Sequence, residues 1–341
     1  MSDMPQLHRR YPALRETLPW LRLGARPTPV RQLAGLAEEC GGSLWLKDDG
    51  VFGSLWGGNK ARKLEWILAD VLAKRRRTIL TVGALATNHG LATALYARQQ
   101  GIDTAIALVD QPRDDHVERQ LERLEHSGAR LHMTHSKYRT VVALPWLIVR
   151  NSDLRTLRPP YFLTVGGSSP VGCLGYVDAA LELGDQVGRG ELPEPSHLVV
   201  ALGSGGTAAG LLLGLRLAGL GTRVVPVLVN DKTRLEPRII VHLARRTARL
   251  LRRRGAQLSE LSLMRNEIAV ETRWLGLGYG HRTPEAERAL LLAREREDLV
   301  LEPVYTGKAM AALLALREER AFGAGPVLYW HTHNALADPG G

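Results

Sequence analysis

Lys60 is the residue whose setting most invites chemistry. It follows Gly57-Gly58-Asn59 and opens a segment, Ala61 to Leu72, whose apolar residues recur at helical spacing. The positive end of a helix dipole disfavours an ammonium there and lowers its pKa. The neutral amine so favoured is the form that attacks a carbonyl carbon to make a Schiff base. The same spacing also fits an ordinary first-turn lysine with its charge in water. Scarcity adds interest: the chain has 7 lysines, so arginine supplies 38 of its 45 basic residues.

Four further segments carry candidate chemistry. Val199 to Gly210 reads as strand, glycine-rich turn and helix, so the amides of Gly203, Ser204, Gly205 and Gly206 with the Thr207 hydroxyl would cradle an anion. It lacks a P-loop lysine and its glycine spacing misses the dinucleotide fingerprint, so a monophosphate fits better; a tight turn with no ligand is the plain alternative. Thr87-Asn88-His89 follows a strand, with Thr87 a natural helix cap. Leu301 to Lys308 reads as a strand entering a helix and displays Tyr305 and Thr306. His331 and His333 stand two apart after an apolar strand, yet no further ligand lies at a metal-binding spacing, so no metal is expected.

The elements that must position these residues alternate. Strands are expected over Ser43–Lys47, Thr78–Val82, Thr104–Val109, Ala129–Met133, Tyr161–Val165, His197–Ala201, Arg223–Val229 and Pro326–Trp330. Helices are expected over Asn59–Leu72, His89–Gln100, Asp114–Ser127, Gly172–Leu183, Thr207–Ala218, Pro284–Glu297 and Gly307–Glu318. Such alternation predicts α/β architecture with largely parallel sheets, and so many strands call for two of them. Ligands in such folds bind at the carboxyl ends of strands, where the glycines gather.

Composition narrows the classes. With 341 residues, 45% hydrophobic and 23% charged, the chain is globular rather than disordered. Two cysteines make no disulfide framework, and neither a leader-like start nor a membrane-length apolar run is present, so a soluble cytoplasmic protein is expected. The formal charge of +10 comes from dispersed arginine plus clusters at Lys74–Arg77 and Arg245–Arg254. Neither cluster sits in a recognisable nucleic-acid module, so both read as solvated helix ends and faces, and no nucleic-acid partner is expected.

Taken in order, these motifs resemble the 1-aminocyclopropane-1-carboxylate deaminase / D-cysteine desulfhydrase family of pyridoxal-phosphate enzymes. The likeness runs from Pro27-Thr28-Pro29 and Trp45 to Asp49, through Gly57 to Glu65, Thr87-Asn88-His89 and Val165 to Gly172 with Leu174-Gly175-Tyr176. It continues through Gly203 to Thr207, Gly278-Tyr279-Gly280 and Pro303 to Lys308 to His331-Thr332. The resemblance implies a two-domain tryptophan-synthase-β-like fold (fold type II), each domain an open, mostly parallel sheet flanked by helices. A smaller domain over 64–165 would be inserted into a larger cofactor-binding domain made of 1–63 and 166–341. It implies pyridoxal 5'-phosphate held by Lys60, with Asn88 on its 3-oxygen, Gly203 to Thr207 on its phosphate, and Thr306 and Thr332 beside its ring. Thr87, Asn88 and His89 would take the carboxylate of a small amino-acid substrate; Lys60, Thr87, Tyr279 and Tyr305 would be catalytic. A homodimer is usual for such relatives.

Thr306 discriminates between activities. Ring-opening members carry a glutamate there, which keeps the pyridine nitrogen protonated. A neutral threonine cannot do so to the same degree, yet still permits α-proton removal followed by loss of a β leaving group. The expected reaction is therefore β-elimination to a 2-oxo acid and ammonia, with ring opening, β-replacement and cofactor binding without turnover as alternatives. Ala86 and Thr87 replace the family's Gln-Ser, and His333-Asn334 its Gly-Gly, which predicts an altered substrate.

Overall fold

The computed structural model describes residues 4–334 apart from 57, 233–234, 260, 262 and 265–266, so Gly57 of the glycine pair lies outside the described residues. The chain opens with two short helices, α1 (Gln6–Arg10) and α2 (Leu14–Thr17), an edge strand β1 (Val30–Gln32) and α3 (Ala34–Cys40). β2 (Leu44–Asp48) leads through a 3-10 turn at Asp49–Val51 into α4 (Asn59–Ala73). Then follow β3 (Thr78–Ala84), α5 (Asn88–Gln99), β4 (Asp103–Val109), α6 (Asp115–His126), β5 (Arg130–His135), α7 (Lys137–Arg150) and β6 (Tyr161–Leu163). Next come α8 (Pro170–Gly188), β7 (His197–Leu202), α9 (Gly206–Ala218), β8 (Arg223–Leu228) and α10 (Pro237–Arg253). α11 (Pro284–Glu297), α12 (Thr306–Glu318) and β9 (Val327–His331) complete the chain.

Among the described residues the strands form two sheets, β1-β2-β9-β7-β8 and β5-β4-β3-β6. All pairings are parallel except β1 with β2. Parallel strands are covered by helices on both faces, which is why β3, β4 and β7 read as continuous apolar runs. The α/β, two-sheet expectation therefore holds. Four strand ends bring chemistry to the carboxyl edges of the sheets: β2 into α4, β3 into α5, β7 into α9, and the end of β9.

The start of α4 is fixed unusually firmly. A Cβ on Gly175 of α8 would fall 2.1 Å from the Arg62 carbonyl oxygen, so glycine alone lets α8 lie this close. Beside that contact sits a buried ionic network. Arg62 donates to Asp49 Oδ1 at 2.9 Å and to Glu182 Oε1 at 3.0 Å, and Lys47 donates to Glu182 Oε1 at 2.5 Å. Asp49 Oδ2 accepts from Tyr176 Oη at 2.9 Å and Trp330 Nε1 at 2.8 Å. Burial opposes ionisation of Glu182, but the Arg62 and Lys47 charges hold its carboxyl well below the usual range. The network ties α4 to β2, α8 and β9, so the residues after Gly58 have a rigid seat.

One local expectation needs correction, and two long helices lie outside the expectations. Residues 301–305 form no strand: Glu302 accepts from the amides of Val304, Tyr305 and Thr306 at 2.9, 2.6 and 2.6 Å, turning the chain directly into α12. α7 and α10 are full helices that no expectation covered. Pro145 inside α7 hides the first, and the arginine-rich sequence of α10 masks an inner face of Ile240, Val241, Ala244, Ala248 and Leu251. The arginines Arg245, Arg246, Arg249, Arg252 and Arg253 do lie on its outer side. No helix among the described residues is long and apolar enough to cross a membrane.

Candidate functional site

A cavity of about 750 Å³ opens where the two sheets present their carboxyl ends. Lys60, Thr87, Asn88, His89, Gly203, Ser204, Gly205, Thr207, Tyr279, Tyr305, Thr306 and Thr332 all line it. Residues far apart in sequence, from Lys60 to Thr332, thus meet in one place, with Gly206 at its edge as the first residue of α9.

Lys60 sits in the first turn of α4 and its Nζ donates to Asn59 Oδ1 at 2.8 Å. Its amine titrates at about 7, first because burial disfavours the ammonium and second because the Lys63 charge repels it; Glu302 opposes the shift. Enclosure, more than the helix end, explains the neutral amine. Near neutral pH the nucleophilic, uncharged form is therefore accessible.

The turn after β7 has the shape of an anion cradle. Gly205 adopts φ +86°, a backbone region open to glycine, and the Gly206 amide donates to Ser168 Oγ at 2.9 Å. That hydroxyl donates in turn to Ser204 Oγ at 2.8 Å. A Cβ on Gly203 would stand 2.8 Å from the Tyr305 ring, so this glycine also makes room for the tyrosine. Lys63 completes the cradle and no sequence motif singled it out. It lies one helical turn after Lys60, and its Nζ donates to the Gly166 carbonyl at 3.1 Å and would lie 3.2 Å from a Cβ on Gly206. Burial lowers its pKa to about 8, which leaves it cationic at neutral pH. Backbone amides, a hydroxyl and a buried ammonium together suit a phosphate monoester.

The start of α5 supplies the opposite wall. Thr87 Oγ1 accepts from the Gly90 amide at 3.1 Å, which makes it the helix cap and leaves the amides of Asn88 and His89 pointing out of the helix end. Gln120 on α6, 1% exposed, donates its Nε2 to Asn88 Oδ1 at 2.9 Å. That bond commits the Asn88 oxygen and leaves its amide protons free to donate into the cavity. The His89 ring is buried with no hydrogen-bond partner at either nitrogen, and its pKa is pushed well down by burial and then by Lys60 and Lys63. It stays neutral, so any anion held here is held by amides, not by an imidazolium.

Two tyrosines and a carboxylate form the third wall. Tyr305 Oη donates to Tyr279 Oη at 3.0 Å, with the rings edge to face. Burial raises the pKa of both, so both are neutral acids. This donation leaves the Tyr279 hydroxyl proton available to a bound molecule. Thr306 Oγ1 accepts from the Glu302 amide at 2.8 Å and can donate to Glu302 O or Oε1 at 3.2 and 3.3 Å. Glu302, which the sequence reading passed over, is thus a cavity carboxylate whose charge is absorbed by the amides opening α12. The Thr332 carbonyl accepts from the Asn59 amide at 3.4 Å, linking the end of β9 to the start of α4. His331 Nδ1 lies 2.8 Å from Asp48 Oδ1, and no group of three or more metal-ligating side chains occurs among the described residues.

Known proteins resemble this chain in sequence and fold. The family described as pyridoxal-phosphate dependent enzymes matches residues 21–333. A D-cysteine desulfhydrase of Serratia proteamaculans is 34% identical over 328 residues, 94% of each chain. The crystal structure of an ACC deaminase homologue superposes with a TM-score of 0.80 at 28% identity, covering 97% of this chain and 95% of that one. A threonine deaminase from T.th., 18% identical, shares the fold with a TM-score of 0.62 over 90% of this chain and 92% of its own.

Proposed function

The chain belongs to the family of pyridoxal-phosphate dependent enzymes, and from that premise we propose that it removes the α-proton of a small amino acid and expels a β leaving group. Elimination leaves an enamine, which one water hydrolyses to a 2-oxo acid and ammonia beside the expelled leaving group, as the D-cysteine desulfhydrase relatives suggest. The single observation that carries this reading is the meeting of a buried lysine, Lys60, whose pKa is lowered toward neutrality, with a phosphate-type cradle in one cavity.

The residues present suit the cofactor. Gly203 to Thr207 with Lys63 would hold its phosphate, Lys60 its aldehyde carbon, and the Asn88 amide protons its 3-oxygen. Thr306 and Thr332 would flank the ring. Bound there, the cofactor supplies an electron sink for the charge left when the α-proton departs. Lys60 Nζ would take that proton. The outward amides of Asn88 and His89 would receive the substrate carboxylate. The free Tyr279 proton would go to the leaving group, with Tyr305 fixing the orientation of that hydroxyl. Because the Glu302 charge is absorbed by three amides and Thr306 is neutral, no free carboxylate is offered to a ring nitrogen. This favours elimination over ring opening, the activity suggested by the ACC deaminase likeness.

The same reading includes a smaller domain over 64–165 inserted into a larger one of 1–63 and 166–341, a homodimer, and a cytoplasmic site of action. Release of 2-oxo acid and ammonia from D-cysteine, β-chloro-D-alanine or O-acetylserine is the expected result. Absence of product from all three would remove the elimination reading.

A further inference from the structure

Besides the residues around Lys60, the same cavity is lined by the start of α7 and by the end of β6 with the residues after it. Thr140, Val141, Leu144, Phe162 and Val165 line this part. Val141 is 69% exposed, Val165 49% and Phe162 46%, so three sizeable apolar groups face water around one opening. Apolar surface gathered at the mouth of a cleft marks a ligand groove more often than ordinary exterior. The polar side chains at the rim are engaged within the protein. His135 lies 3.2 Å from Asp110, Lys232 stands 3.9 Å from Asp231, and Lys137 donates to the Lys232 carbonyl. A charged tail would compete with those contacts, whereas an alkyl or thioether chain would simply remove apolar surface from water.

We propose that this apolar part of the cavity takes the side chain of the substrate, so that among the amino acids bound at Lys60 those with an extended apolar substituent bind more tightly than the smallest ones. The inference rests on the reading that an amino acid binds at Lys60, since the apolar residues and that lysine line one cavity. It also gives the departures at Ala86 and Thr87 a context, because both line the same cavity.

Calorimetric titration of the cofactor-loaded protein with straight-chain 2-amino acids, from alanine to 2-aminooctanoate in both enantiomers, tests it. These compounds carry no β leaving group, so binding is read apart from elimination. In the enantiomer that binds, Kd is expected to fall about threefold to fourfold per added methylene until the apolar part is filled. The heat-capacity change of binding becomes more negative over the same series. Val141→Ser and Phe162→Ser, at positions too exposed for the fold to depend on them, flatten that slope. A series of equal affinity, or one that weakens as the chain lengthens, would overturn the proposal. A preserved slope without 2-oxo acid from β-substituted amino acids would support the side-chain site and discard the elimination reading. Failure of every 2-amino acid to bind would overturn both.

Discussion

At the scale of single residues the account turns on two lysines three positions apart with different roles. Lys60, titrating at about 7, must be neutral to take up the cofactor's aldehyde; Lys63, titrating at about 8, must be charged to attract its phosphate. The sign follows directly. As pH rises through 7 the competent fraction of Lys60 grows, and as it rises through 8 the charge on Lys63 is lost. The rate at which cofactor-stripped protein recaptures pyridoxal phosphate should therefore pass through a maximum between pH 7 and 8, and Lys63→Met should lower that maximum and remove the falling limb. Stopped-flow absorbance across that range checks it. Lys60 was legible in the sequence because it follows glycines at a helix start and the chain has few lysines. Lys63, Gln120 and Glu302 were not. Their roles come from partners at Gly166, Asn88 and the turn into α12, contacts that no local spacing reveals.

At the scale of elements, the decisive feature is the seating of α4. Arg62, Lys47, Asp49 and Glu182 are each at most 1% exposed, so their charges rely on one another rather than on water. Removing one acid leaves two buried cations short of counter-charge. Glu182→Ala is expected to destabilise the fold by about 3–5 kcal/mol, measured by urea unfolding. Lys47→Met combined with Glu182→Leu should lose less, because part of the uncompensated charge is then absent. Most elements could be read from periodicity, since parallel strands are continuous apolar runs and their helices are amphipathic. Those that could not are instructive. α7 contains Pro145 and the β-branched pair Val141-Val142, so local propensity argued against the helix that tertiary packing of Leu147 against Leu80, Ala105 and Ala107 secures. The run 301–305 looked like a strand because it is apolar, but the Glu302 side chain supplies its amides with acceptors and no neighbouring strand is needed.

At the scale of the whole molecule, two largely parallel sheets present their carboxyl ends to one cavity, and glycines such as Gly203 and Gly205 serve in the turns around it. Much of the net charge of +10 lies on exposed arginine such as the outer face of α10, away from the cavity. The central claim is that Lys60 makes this cavity a pyridoxal-phosphate elimination site. The most direct measurement compares wild-type protein with Lys60→Ala, following the visible absorbance of lysine-bound cofactor and the 2-oxo acid released from D-cysteine and its β-substituted analogues. The account predicts an absorbing wild-type protein that releases product, and a variant that loses the lysine-bound absorbance and at least a thousandfold of the rate, on the order of 4 kcal/mol of barrier. A Lys60→Ala protein that kept both the absorbance and the turnover would contradict it.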